Sequence, residues 1–104
     1  MGHMLQLGYA QIDETPLADL CRRCHVQKLS LFGSAARGEM RPESDVDMLV
    51  EFLPGSEIDL VDYAGLMLDL SRLLGRKVDL VSKNGLKPLI RPSVLDEARL
   101  LYAA

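Results

Sequence analysis

Tryptophan is absent from this chain, and aromatic residues fill only 5% of its 104 positions. That leaves no evident stacking platform of the kind that grips single-stranded nucleic acid. A basic excess is missing as well. The formal net charge is -3, whereas a domain that holds a duplex through its phosphates usually shows a basic face or a high pI. Nucleic acid is therefore not the expected partner. No apolar run is long enough to cross a bilayer, because charge interrupts each one within a few residues. The opening Met1-Gly2-His3-Met4 lacks a basic stretch followed by an apolar one, so no secretory signal is read there and a cytoplasmic location is expected. Gly2-His3 before a second Met reads as a cloning scar over residues 1–3.

Repeats, low-complexity tracts and interdomain linkers are also lacking, so a single domain over 1–104 is expected. A chain of this length buries roughly 65% of its unfolded surface, enough for a thin core. Cysteine is scarce. Cys21 and Cys24 precede His25, and Cys-x-x-Cys-His is the pattern of covalent haem attachment. That attachment needs export. The two cysteines also fall among Leu17, Leu20 and Val26, where Cys behaves as a small core residue. A zinc site would want a fourth ligand, and His3 belongs to the scar. Free thiols are expected. Two phosphate-binding signatures are missing: Gly-x-x-x-x-Gly-Lys-[Ser/Thr] and Gly-x-Gly-x-x-Gly.

What is present is an alternation of helical and extended segments. Thr15-Pro16 opens a helix to about His25, with Thr15 as its cap. Lys28–Phe32 is a strand ending at Gly33. Ser34–Arg37 reads as one helical turn capped by Ser34 and stopped by Gly38. A polar loop from Glu39 to Ser44 follows. Asp45–Phe52 is a strand. Ser56-Glu-Ile-Asp59 resembles a capping box for a helix from about Asp59 to Leu74, with Leu60, Ala64, Met67 and Leu74 on one face and Gly75 at its end. Arg76–Val81 is a third strand, and Leu86–Ala103 reads as helical with Pro92 kinking or restarting it. The order α-β-α-β-α-β-α predicts a small mixed sheet of the α/β or α+β class, with helices mainly on one face.

Asp45 and Asp47 are two apart in a strand, so their carboxylates project from one face and can share a cation. Asp79 lies in another strand and joins them if the strands are neighbours. Asp is common at strand ends, where it caps backbone groups. Asp47 and Asp79 are harder to explain that way, because each sits inside an apolar run where Asp is disfavoured. Crowded carboxylates with no His or Cys beside them suit Mg²⁺, which takes a few carboxylates plus phosphate oxygens and water. Gly33-Ser34 supplies a strand-to-helix turn whose N–H groups face an anion. Arg37, one turn on, is placed either to face phosphates or to be an ordinary exposed helix residue.

Gly33-Ser34, a ten-residue gap and Asp45-x-Asp47 closely resemble the signature of the DNA polymerase beta-like nucleotidyltransferases. The short Gly-Ser-Ala-Ala-Arg-Gly form is similar to their minimal nucleotidyltransferase branch, and the likeness runs from about Leu17 to Tyr102. Lys77–Val81 resembles the segment bearing that family's third carboxylate. The resemblance implies a nucleotidyltransferase-like fold in which Asp45, Asp47 and Asp79 bind two Mg²⁺ ions. Asp79 ligates one of them or serves as the base. Gly33 and Ser34 hold the phosphates of ATP, with pyrophosphate as leaving group. It also implies a partner, since members of this branch are commonly antitoxins that attach AMP to a tyrosine of a helical HEPN toxin. The alternative is a binding module that silences its partner by occlusion alone. The sequence is compatible with a homo- or hetero-oligomer.

Overall fold

The computed structural model describes residues 4–7, 10–37, 45–85, 89 and 91–104. The expected stop at Gly38, the loop over 39–44 and the terminal residues 1–3 lie outside them. Two short strands, β1 (Met4–Leu7) and β2 (Ala10–Asp13), pair antiparallel. Helix α1 (Glu14–Arg23), strand β3 (Val26–Leu31), the short helix α2 (Gly33–Arg37) and strand β4 (Val46–Phe52) follow. Helix α3 (Leu60–Leu74) then leads into β5 (Val78–Ser82), a 3₁₀ turn (Lys83–Gly85), α4 (Arg91–Glu97) and β6 (Arg99–Ala103). The main sheet has the order β5-β4-β3-β6. Only β4 and β5 run parallel, joined through α3. The class is the expected one, a mixed α+β sheet with helices packed against it.

Alternation explains the sheet. In β4, Val46, Met48 and Val50 are buried in the core while Asp47 and Glu51 face the other way and are half-buried. Leu29 and Leu31 of β3 and Val78 and Leu80 of β5 enter the same core. Helix α1 closes it with Leu17, Leu20 and Cys21, and α3 with Leu66, Leu70 and Leu74, spaced by four residues so that they stack on one face.

The helix ends differ from expectation in instructive ways. Asp13, not Thr15, caps α1, its side chain accepting from the Thr15 N–H at 3.0 Å. Strand β2 runs straight into the helix, so the carboxylate that falls at its mouth takes the role. Ser34 lies inside α2, which begins at Gly33. The capping box of α3 is Asp59 with Asp62, one register later than Ser56 with Asp59, and Leu60 is left 82% exposed. Gly75 ends the helix with φ 67°, as expected.

The C-terminal stretch is the main correction. Only 91–97 is α-helix, and Arg99–Ala103 is a strand. Leu and Ala favour helix locally, but β3 offers an open edge and β6 pairs with it antiparallel, turning Leu101 into the core. Both cysteines are free thiols, with Cys21 wholly buried. Burial pushes the Cys21 thiol up to about 12, so it is inert core rather than a point of attachment. No helix among the described residues is long and apolar enough to cross a membrane.

Leu70 is fully buried at the centre of α3. Leu70→Ala is expected to cost about 3 kcal/mol of stability in urea unfolding, through lost burial and the cavity left behind. A loss below about 1 kcal/mol would mean that α3 does not close the core as described.

Candidate active site

The site is assembled at the end of the sheet where β3 leaves and β4 and β5 enter. Val46 donates its N–H to the Lys77 carbonyl at 2.9 Å, and Phe32 donates to the Asp47 carbonyl at 3.0 Å. These bonds lock the turn out of β3 onto the start of β4. In the parallel ladder Asp47 stands opposite Asp79. The strands are neighbours, and Asp79 reaches the same face as Asp47.

Strand β5 is held in place on both sides of Asp79. The Ser71 hydroxyl donates to the Met67 carbonyl at 2.9 Å and accepts from the Val78 N–H at 3.1 Å. The Tyr63 hydroxyl donates to the Leu80 carbonyl. Helix α3 thus sets the height of Asp79 in the sheet, through two polar side chains that the sequence pattern did not single out.

Gly33 comes closest to the chemistry. Its φ is +65°, a left-handed conformation that side chains resist, and a Cβ built on it would lie 2.6 Å from Asp47 Oδ2. The glycine is required twice over, by backbone angle and by the carboxylate against it. The backbone of Ser34 follows as the next residue of α2. Asp45 precedes β4 and is exposed, with its Oδ2 3.8 Å from Lys77 Nζ. Arg37 ends α2 and pairs with Glu97 of α4 at 3.2 Å. Glu97 is sixty positions away in sequence, and no local pattern marks it.

Electrostatics ties these groups together. The Asp47 carboxyl is pushed up from its ordinary value first by burial, then by the charges of Asp79 and Asp45, while Arg37 pulls it down. Asp79 and Asp45 therefore both act on the Asp47 carboxyl. Among the described residues, however, no three His, Cys, Asp or Glu side chains form a closed metal cage. The donor set is all oxygen and fits a hard cation such as Mg²⁺, which completes its shell with phosphate and water. Cavities of about 320 Å³ beside α1 and α3 and about 350 Å³ beside Glu51 and Lys83 lie elsewhere.

A β-strand, a glycine turn, a short helix and a second strand bearing in-register acids mark a nucleotidyl-transfer domain. Comparison with known proteins gives the same answer. The family described as nucleotidyltransferase domain matches residues 17–101. The protein adenylyltransferase MntA of Thermococcus cleftensis is 44% identical over 80 residues, covering 76% of this chain and 78% of its own. A solved structure described as a candidate minimal nucleotidyltransferase is similar at 46% identity and a TM-score of 0.71, covering 82% of this chain and 85% of that one. A toxin–antitoxin structure with AMP-PNP is similar at 25% identity and a TM-score of 0.71, covering 88% and 73%. The chain belongs to the nucleotidyltransferase domain family.

Two predictions follow from the geometry. Gly33→Ala forces a methyl group against the Asp47 carboxylate and a side chain into a left-handed backbone. It is expected to cost about 1–3 kcal/mol of stability and to weaken binding of metal–nucleotide in calorimetry. Unchanged stability and affinity would show that the close approach is immaterial.

Asp47 has a raised pKa in the fold, so the folded state holds its proton more tightly than the unfolded chain does. The stability it contributes is full below the ordinary carboxylate range and is lost as pH rises through the raised value. Asp47→Asn removes that loss. Without metal, the variant is expected to melt above the wild type near neutral pH, with the gap closing toward pH ~3, below the ordinary carboxylate pKa. A variant that melts lower at neutral pH would contradict the crowding of charge described here.

Proposed function

We propose that this chain transfers AMP from ATP to a side-chain hydroxyl, a tyrosine, of a HEPN-type toxin partner, and so acts as its antitoxin. The approach of Gly33 to an Asp47 carboxylate standing in register with Asp79 supports this most directly. That geometry sets acidic oxygen donors of two neighbouring strands in register, an arrangement that a cation-bearing ligand would neutralise. The similarity to an MntA adenylyltransferase and to a toxin–antitoxin structure holding AMP-PNP supports the substrate and the partner.

In this scheme Asp45 and Asp47 would hold two Mg²⁺ ions, with Asp79 as a further ligand of one or as the base. Bound there, magnesium supplies charge neutralisation for the triphosphate and for the oxygens that attack and leave. The turn at Gly33 and Ser34 receives the β- and γ-phosphates at the positive end of α2. In the role of base, Asp79 would take the proton of the acceptor hydroxyl. That oxygen forms its bond to the α-phosphorus as the bond to the bridging oxygen breaks, and pyrophosphate departs. Arg37, close enough to Asp47 to act on its charge, would meet the departing phosphates on exchanging Glu97 for them.

Wild-type protein, ATP, Mg²⁺ and the toxin are expected to give a toxin heavier by AMP at a side-chain hydroxyl, with little enzyme silencing excess toxin. The Asp45→Asn/Asp47→Asn double variant is expected to lose transfer by orders of magnitude while remaining folded. Mass spectrometry of the toxin decides. A toxin that is silenced fully yet gains no mass would leave occlusion as the mode of action.

A further inference from the structure

Helix α3 carries a defect that nothing among the described residues explains. Gly65 sits in the middle of a fifteen-residue helix, where glycine is disfavoured relative to alanine. Its backbone angle is ordinary, and a Cβ built on it would meet nothing within 4 Å. Unlike Gly33 and Gly75, it answers no internal demand. Something from outside the described fold is the remaining reason for a flat spot here.

The surroundings describe that visitor. Val61 and Leu68 flank Gly65 on the outward face of the helix, at spacings of four and three residues, and are 78% and 54% exposed. Beside them runs the cavity of about 320 Å³ between α3 and the end of α1, lined by Phe52 and edged by Glu57, Asp62 and Asp69. Arg23 lines it too, and Arg72 already pairs with Asp69 at 3.6 Å. Between Arg41 and Arg72 the chain contains no Lys, Arg or His, while Asp and Glu recur throughout. The groove thus sets Phe52, Ile58 and Val61 beside a rim in which Glu57, Asp62 and Asp69 face Arg23 and His25, with carboxylates in excess.

Charge decides between occupants. A second copy would set carboxylate against carboxylate across a two-fold axis. Anionic lipid and nucleic acid are repelled in the same way. A protein helix with an apolar stripe flanked by Lys or Arg complements the groove on both counts, and glycine lets it approach closely.

We propose that the groove centred on Gly65 docks a basic amphipathic helix of the protein partner. This rests on the preceding proposal only in that the chain has a protein partner. Phe52 lies five residues along β4 from Asp47, roughly 17 Å at about 3.3 Å per residue. The groove is therefore separate from the carboxylates, on the side of the sheet that α3 covers, whereas Asp47 faces the other side.

The test uses the full chain and the HEPN-type toxin, with calorimetry in rising salt, thermal melting, and size measurement of each protein alone. Gly65→Ala is expected to raise the melting temperature of the free chain, because the site is open and alanine favours helix. Gly65→Leu and Glu57→Lys are expected to weaken toxin binding at least ~10-fold, the equivalent of 1.4 kcal/mol, while leaving the shift produced by ATP and Mg²⁺ unchanged. Wild-type binding is expected to weaken with salt. Wild-type affinity in both variants would overturn the proposal. So would a wild-type dimer that Gly65→Leu makes monomeric, which would assign the face to a second copy. Failure to bind the toxin at all would overturn this proposal and the preceding one. A toxin that docks on this groove but gains no AMP defeats only the adenylylation proposal, and one that gains AMP with unchanged KM in Gly65→Leu defeats only the docking proposal.

Discussion

The Asp47 carboxylate has Gly33 pressed against it, Asp79 in register on the next strand and Asp45 two residues before it. Most of the fold can be understood as what is needed to keep it there. A half-buried acid surrounded by like charge prefers to move, to take a proton or to capture a cation. The first escape is closed by the ladder, because β4 is bonded on both sides. The N–H of Phe32 ties its carbonyl to the turn out of β3, and β5 runs parallel along its other edge. The parallel pairing is itself expensive, requiring a crossover helix. Helix α3 is that crossover, and through Ser71 and Tyr63 it also fixes the height of β5.

The glycine at position 33 follows from the same constraint. A strand that must turn at once into a helix beside a carboxylate has no room for a side chain and needs a left-handed residue. The residues that look separate in sequence, a Gly-Ser pair and an Asp-x-Asp pair, are therefore one device. The ten positions between them allow the chain to leave β3 and return antiparallel in β4.

The acids and the glycine were legible because they violate local preference. Asp47 and Asp79 sit where apolar residues belong, and such violations stand out in a single sequence. The central strands were legible for a related reason, their short apolar runs. What escaped was set by partners distant in the chain. Arg99-Leu-Leu-Tyr-Ala103 has the composition of a helix and becomes a strand because β3 has a free edge beside it. Strands β1 and β2 are four-residue segments, too short for alternation to mark them. Glu97 meets Arg37 across sixty positions, and the face of α3 that is buried is set by how the helix lies on the sheet. Leu60 and Leu66 are equally apolar, yet one is exposed and the other buried.

That last contrast bears on how so small a domain can serve a macromolecular acceptor. The core accepts only one face of α3, and Leu66, Leu70 and Leu74 fill it. Apolar residues on the outer face are then surplus to folding, and a chain selected for stability alone would replace Val61 with a polar residue and Gly65 with alanine. Their presence moves the question from the interior to the surface. The proposed carboxylate site provides the chemistry but, open as it is, offers little to grip a folded protein. A groove at the far end of the same strand, with apolar side chains beside a rim in which carboxylates are in excess, would supply the affinity that the reaction end lacks. Binding energy gathered there would be available to hold an acceptor hydroxyl over Asp47 and Asp79, as remote contacts do in other transferases.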